Sequence, residues 1–420
     1  MEFVAPNALH DSGHVVDPPK CHPGTRIAIL QTIMDWIAGS NEVNQEKLIT
    51  WLSGAAGAGK SAIGRTVCEV CEKEGTLLAS FFFGSNDSTR NHPRSLVATI
   101  AYQICCISPI IREVVSAFID YDPLIFTRSL RTQLQSLVIE PLSVNYANEV
   151  HKVPPLIVLD ALDECIDEAS QRDILDAILH TVTSSSIPIR VLVCSRPESN
   201  ITNFFSSAKI NATLFKIFLG DLYEPDADIK LFLCEKLEAI REGHIFKSSI
   251  PPSWPDDDHI EQIVKKSSGQ FIYTATVVRY VESPRHRPQQ RLAAILGLRP
   301  PFEDLPFAEL DALYTHILIG TGNLSITTNI MVLLALYEEI IPSDIDRLLG
   351  LEVGEAEVVL CDLGAIVGQK HYVGGPTAAI LLHKSFGDFL FDSHRSKDFS
   401  KSRAEARVHH ATRLIEIYSG

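Results

Sequence analysis

Between Lys47 and Leu219, short and continuously apolar runs alternate with longer segments whose apolar residues recur every three or four positions. The short runs, at 48–52, 77–83, 156–160, 189–194 and 214–218, have the pattern of strands covered on both faces. The longer segments, at 61–73, 93–106, 108–119, 129–139, 169–182 and 200–205, have the spacing of helices that turn one side to a sheet. Strand and helix in alternation predict an α/β fold with a parallel sheet and helices on both of its faces. A helix over 25–38 leads in, with Ile27, Ile29, Leu30, Ile33, Met34 and Ile37 at helical spacing and Gly39 closing it. Residues 1–20 show no periodicity and read as a mostly irregular tail.

The strand pattern stops after Gly220. Amphipathic helices are expected at 225–240, from Asp256 onward, at 271–282 and at 291–298, forming a small helical module. Further helices follow at 310–318, 326–337, 343–349 and 355–366. Two short β runs, 365–373 and 378–382, then flank Gly374-Gly375-Pro376 as the arms of a hairpin would. Three helices and a β wing suggest a winged-helix domain. The expected organisation is therefore a tail (1–20), a linker helix (21–45), a nucleotide-type α/β domain (46–220), a helical domain (221–300) and a winged-helix domain with a C-terminal helix (301–420).

Composition narrows the classes. At 420 residues, 45% hydrophobic and 21% charged, the chain has the makeup of a folded protein with several cores. A formal charge of −15 argues against a nucleic-acid-binding surface as its main business. The cysteines, an odd count of 9, are scattered through apolar segments, which suits a reducing, cytoplasmic setting better than a disulfide scaffold. Cys68 and Cys71 form a C-x-x-C inside a helix with no second pair at metal spacing, so neither zinc nor redox chemistry is expected there. No apolar run is long enough to span a bilayer, and no membrane partner is expected.

Against that background one stretch carries chemistry. Gly54-Ala55-Ala56-Gly57-Ala58-Gly59-Lys60-Ser61 follows a predicted strand and opens a predicted helix at Ala62. In the pattern G-x-x-x-x-G-K-[ST], small residues let backbone N–H groups curl round phosphate oxygens, the lysine supplies a cation, and the serine hydroxyl reaches Mg2+. Residues Gly54, Gly57, Ala58, Gly59, Lys60, Ser61 and Ala62 are thus the candidate nucleotide contacts. Leu156-Ile157-Val158-Leu159-Asp160 places four apolar residues before an acid, as a buried strand delivering a carboxylate to Mg2+ requires, so Ser61 and Asp160 are the candidate metal residues. Asp163 and Glu164 follow where a loop can bring one of them to an attacking water; the plainer alternative is that one caps the helix starting near Asp167. Ser195-Arg196 ends a further strand, and Arg196 either reads a γ-phosphate or pairs with Asp163 or Glu164.

Taken together, these motifs resemble the NACHT family of signal-transducing (STAND) P-loop NTPases, and within it a fungal branch whose nucleotide domain is similar to the nephrocystin-type module. The resemblance rests on Cys21-His22-Pro23-Gly24-Thr25-Arg26, the loop at 54–61, Phe81-Phe82-Phe83, Asn86-Asp87-Ser88-Thr89-Arg90-Asn91, Asp160-Ala161-Leu162-Asp163-Glu164, Ser195-Arg196-Pro197-Glu198, and Leu382-His383-Lys384-Ser385-Phe386-Gly387-Asp388. It implies a switch that is closed with ADP and open and oligomeric with ATP, with unidentified effector or sensor proteins as partners. It also implies that His383 touches the phosphates of ADP; periodicity alone makes His383 an ordinary residue at a helix start. The chain departs from many relatives in having Ser268-Gly269-Gln270-Phe271 where they carry a Gly-x-Pro turn. Relatives often continue into repeats, so this chain reads as a minimal nucleotide-binding oligomerisation core. ATP and GTP both suit the motif, with Mg2+. The alternatives are an ordinary P-loop ATPase and a nucleotide-binding scaffold that does not hydrolyse.

Overall fold

The computed structural model describes residues 3–13, 18–40, 44–85, 87–146, 153–220, 225–298, 307–337, 339–372 and 375–419. Asn86, Gly374 and the two expected domain boundaries near 220 and 300 fall on or beside residues outside that set. Two compact units are present, one up to residue 223 and one from residue 224.

The first unit is built on five parallel strands: β1 (Ile49–Gly54), β2 (Leu77–Phe82), β3 (Leu156–Asp160), β4 (Arg190–Ser195) and β5 (Leu214–Leu219). Their order is β2-β3-β4-β1-β5. Helix α1 (Ile27–Ala38) precedes the sheet; α2 (Lys60–Lys73), α3 (Leu96–Ile107), α4 (Pro109–Tyr121), α5 (Leu130–Leu134), α6 (Glu140–Tyr146), α7 (Glu168–Ser184) and α8 (Ser199–Phe205) lie between strands. Period-2 alternation assigns the strand residues to two cores. Leu52, Val158, Leu192, Cys194 and Ile217 pack with Ile33 and Trp36 of α1 and with Ile63 and Val67 of α2. Trp51, Ile157, Leu159, Val191 and Val193 pack on the opposite face with α3, α7 and α8. Burial on both faces is what made β1, β2, β3 and β4 read as nearly unbroken apolar runs, whereas the edge strand β5 leaves Lys216 and Phe218 exposed.

The spacing predicts a helix that ends at Ile139, and the structure differs. The helix passes through Pro141, with a π turn over Gln135–Ile139 between α5 and α6, and the Glu140 N–H donates to the Gln135 carbonyl. Proline lacks an N–H and crowds the carbonyl four residues back; a wider turn just before it relieves both problems. The segment Pro93–Ser95 is a 3-10 turn rather than the first turn of α3. The first residues are irregular in local structure yet packed. Ala5 and Ala8 are fully buried in the core beneath α3, and the Ala5 N–H donates to Thr99 Oγ1 at 2.9 Å.

The second unit holds α9 (Pro225–Gly243), α10 (Asp257–Ser267), α11 (Phe271–Glu282), α12 (Pro288–Gly297), α13 (Ala308–Ile319), α14 (Leu324–Leu336), α15 (Pro342–Leu349) and α16 (Glu355–Asp362). An antiparallel hairpin, β6 (Val367–His371) and β7 (Thr377–Leu381), precedes α17 (Lys384–Phe391), α18 (Ser393–Ser396) and α19 (Arg403–Ser419). Helix α16 stops at Asp362, short of the expected Ile366, because Leu363 to Ile366 turn into the hairpin, with the Ile366 N–H on the Leu363 carbonyl. Ile340, just before α15, pairs antiparallel with Ala379 of β7. One hydrophobic core runs from Ile229 to Leu390.

Candidate functional site

β1 ends at Gly54, where the chain leaves the sheet and turns over Ala55–Gly59 into α2. A Cβ on Gly54 would come within 2.9 Å of the Leu219 Cβ, so the strand end fits against β5 only as glycine. Gly57 and Gly59 stand at φ +76° and +92°, in the left-handed region that side chains avoid. This backbone delivers the unpaired N–H groups of the α2 N-terminus to the mouth of the loop, the arrangement that binds phosphate. Lys60 folds back on the loop, its Nζ donating to the Gly54 carbonyl at 2.8 Å and the Ala55 carbonyl at 2.9 Å. Burial lowers its pKa, opposed by the carboxylates of Asp163 and Asp160 and reinforced by Arg196. Ala58 is buried and Ala62 lies in the first turn of α2.

Asp160 ends β3, and β4 lies between β3 and the loop strand β1. The inserted strand brings Ser195 and Arg196 in between the two halves of the site. Asp160 is 2% exposed. Burial pushes its carboxyl up to about 6, although a hydrogen bond from the Ser61 hydroxyl and the Lys60 charge pull the other way. Its Oδ1 is buried with no hydrogen-bond partner. An orphaned anionic oxygen beside a serine hydroxyl fits one face of a Mg2+ shell, the remaining positions falling to phosphate and water. Among the described residues no group of three or more His, Cys, Asp or Glu is placed to hold a metal ion.

Asp163 and Glu164 sit in a short 3-10 turn, Leu162–Glu164, entered through Ala161 at φ +56°. Neither caps α7; Asp167 does, accepting from the Ser170 N–H at 2.7 Å. Asp163 accepts from the Arg196 N–H at 3.1 Å and faces its Nε at 3.3 Å. Glu164 accepts from the Ser85 N–H at 3.0 Å and so ties down the loop after β2. Ser195 is engaged as well, accepting from Trp51 Nε1 at 2.8 Å. Cys68 and Cys71 are buried, and desolvation raises both thiols, which makes them poor nucleophiles.

Residues 24–196 match the family model described as Nephrocystin 3, N-terminal. The match spans the phosphate loop, Asp160 and Arg196, the same residues that the sheet gathers at one end. This is a P-loop NTPase domain. No curated protein matches the chain. Among solved structures it is similar to the Walker-type ATPase PABY2304 of Pyrococcus abyssi, at 13% identity and a TM-score of 0.41, covering 89% of this chain and 98% of that one. It is also similar to Cdc6p of Pyrobaculum aerophilum, at 12% identity and a TM-score of 0.39, covering 97% and 99%. Drosophila ORC bound to DNA gives 13% identity and a TM-score of 0.38, covering 92% and 91%. Likeness this distant says nothing about ligand or partner.

The NTPase domain uses two arginines to which the sequence reading gave no role. Arg26, at the start of α1, is 6% exposed, stands at φ +58°, and donates through Nη2 to the Ala58 carbonyl at 2.9 Å. Arg65 lies on α2 one turn beyond Ser61, is 3% exposed, and stacks over the Phe82 ring at 4.5 Å. A cation inside the apolar stripe Ile63, Val67, Cys68 was the available signal for Arg65; no spacing rule links Arg26 to the loop.

His383 lies in the second unit as the cap of α17. Its Nδ1 accepts from the Ser385 N–H at 3.0 Å and lies 2.7 Å from Ser385 Oγ, which in turn meets the Tyr314 hydroxyl at 2.7 Å. With Nδ1 accepting from a backbone amide, the neutral ring carries its proton on Nε2. Among the described residues no helix is long and apolar enough to cross a membrane.

Proposed function

We propose that the protein is a nucleotide-dependent signalling switch of the NACHT (STAND) kind, which binds ATP or GTP with Mg2+ and hydrolyses it slowly to control its self-association. The observation that carries this reading is the Asp163–Arg196 pair beside Lys60. Each of the two cations proposed for phosphate has a partner within the protein: Lys60 the loop carbonyls, Arg196 a carboxylate. A γ-phosphate would exchange those partners and so couple its presence to the position of β4's end and the turn at 162–164. Lys60 would take the β- and γ-phosphates, Ser61 and Asp160 would hold Mg2+, Arg196 would read the γ-phosphate, and Asp163 or Glu164 would orient water. The cation, when bound, supplies neutralisation of phosphate charge.

In this reading the hairpin β6–β7 and the helices around it are a winged-helix module with a regulatory role, and His383 donates from Nε2 to a phosphate of ADP. The partners are a second copy of the chain in the ATP state and effector or sensor proteins. Moving such a switch from roughly 1:99 to 99:1 takes about 5.5 kcal/mol of differential affinity, within reach of several charge-assisted phosphate contacts. The deciding experiment is the nucleotide content of the purified protein, with its exchange measured for wild type and Lys60→Ala. ADP in the first and none in the second is expected; equal retention in both overturns the assignment.

A second reading, a nucleotide-bound scaffold without hydrolysis, is favoured by the engagement of both Asp163 and Glu164 in protein contacts. Single-turnover hydrolysis separates the two. A rate that falls in Glu164→Gln supports the switch, and no hydrolysis in wild type supports the scaffold.

A further inference from the structure

Residues 5–10 are built into the NTPase domain against β2, α2 and α3. Ala5 and Ala8 are fully buried, with the single turn Pro6–Ala8 between and around them. The segment is fixed at both ends. The Ala5 N–H donates to Thr99 Oγ1 on α3 at 2.9 Å, and the His10 N–H donates to Ser80 Oγ on the edge strand β2 at 3.1 Å. The His10 ring is buried too, with Nδ1 3.2 Å from Ser80 Oγ and Nε2 3.4 Å from Glu72 Oε2 on α2. The His10 carbonyl accepts from Arg65 Nη1.

Arg65 is in turn a neighbour of the candidate metal residue Asp160. Arg65 and Asp160 stand in each other's electrostatic field. They are not joined: Arg65 Nε and Asp160 Oδ1 are both buried, and neither has a hydrogen-bond partner. A buried guanidinium and a buried carboxylate one helical turn from Ser61 would ordinarily pair, since each otherwise bears its full desolvation cost. What holds the guanidinium elsewhere is the His10 carbonyl on one side and the Phe82 ring on the other. We propose that residues 5–10 are a strap that positions Arg65, and that undocking the strap lets Arg65 close on Asp160 Oδ1 and compete with Mg2+ for it. The metal half of this statement rests on the nucleotide-site reading above. The strap half rests on the contacts of residues 5–10 and Arg65 alone.

The test has two arms on the full chain. Ala8→Trp is too large for its buried site and undocks the strap without adding charge; Ser80→Ala/Thr99→Val, which cuts its two anchors, serves where Ala8→Trp does not fold. In the first arm a double-mutant cycle of Arg65→Met and Asp160→Asn is read by denaturant unfolding of the nucleotide-free protein, in the intact and the undocked backgrounds. The coupling should rise at least tenfold in the unfolding constant on undocking; equal coupling in both backgrounds overturns the proposal. In the second arm fluorescent ADP is titrated with EDTA or with Mg2+. Undocking should leave the EDTA affinity within twofold and remove most of the Mg2+ enhancement, with Arg65→Met restoring it. An enhancement unchanged by undocking overturns the metal half. A wild type that binds no nucleotide under either condition would instead sink the nucleotide reading, with the unfolding cycle still deciding the strap.

Discussion

Arg196 and Asp163 are joined twice: the Arg196 N–H donates to Asp163 Oδ1 at 3.1 Å, and its Nε lies 3.3 Å from Oδ2. Asp163 is nearly buried and Arg196 is three-quarters so, and the pair ties the turn after β3 to the end of β4, the strand that separates the phosphate loop from Asp160. Breaking it has two separable consequences. Asp163→Ala leaves the Arg196 N–H and its largely buried guanidinium without that carboxylate, a destabilisation of about 2 kcal/mol read by denaturant unfolding without nucleotide. The same variant removes a carboxylate that competes with a γ-phosphate for Arg196, so the ratio of ATP to ADP affinity should rise several-fold. A ratio unchanged from wild type would mean that Arg196 does not read the γ-phosphate.

Asp160 gives the stability a pH signature. Its folded-state pKa is raised from 3.8 to about 6, so the native protein binds a proton more tightly than the unfolded chain does. The stability is therefore greatest below about pH 4 as far as this group is concerned, and declines as pH rises to about 6. Asp160→Asn removes the penalised charge. In EDTA the variant should be more stable than wild type by about 3 kcal/mol at pH 7, with the gap closing by pH 4. Urea midpoints at the two pH values check this.

Arg26 reaches the loop itself. Its hydrogen bond to the Ala58 carbonyl fixes the peptide that precedes Gly59. Arg26→Met should weaken nucleotide binding about tenfold, the equivalent of one charge-assisted hydrogen bond. Calorimetric titration measures this loss, and it should fall equally on ATP and ADP, unlike the effect of Asp163→Ala.

His383 combines a structural role that is visible with a ligand role that is proposed, and one substitution divides them. His383→Ala removes the cap from α17 and costs about 1 kcal/mol whatever else it does. His383→Asn keeps a capping acceptor and loses the Nε2 donor. If His383 holds ADP, the asparagine variant keeps its melting temperature and releases ADP faster. An unchanged release rate would leave His383 as a cap only.

How much of this was legible beforehand depends on the range of the interaction. The strands at 49–54, 77–82, 156–160 and 190–195 were visible because burial on both faces leaves a nearly unbroken apolar run, and 214–219 because it is mostly apolar although one face is partly exposed, a property of each strand alone. The phosphate loop was visible because its chemistry is made by consecutive backbone amides. The π turn before Pro141 was not, since it depends on whether tertiary packing compels a helix to continue past a proline. The buried tail at 5–10 was not, since two alanines and a histidine make no periodic pattern.

By itself the sequence determined that a phosphate loop, an acid at a strand end and an arginine at another strand end exist, because each is written in neighbouring residues. Only the tertiary structure decided how they meet. The order β2-β3-β4-β1-β5 inserts β4 between the loop and Asp160, so that Arg196 finds Asp163; no local signal encodes which strand lies beside which. Arg26 and Arg65 became part of the site for the same reason. Each acts through a backbone carbonyl distant in sequence, Ala58 for one and His10 for the other, and a carbonyl carries no mark in the sequence of the partner it will receive.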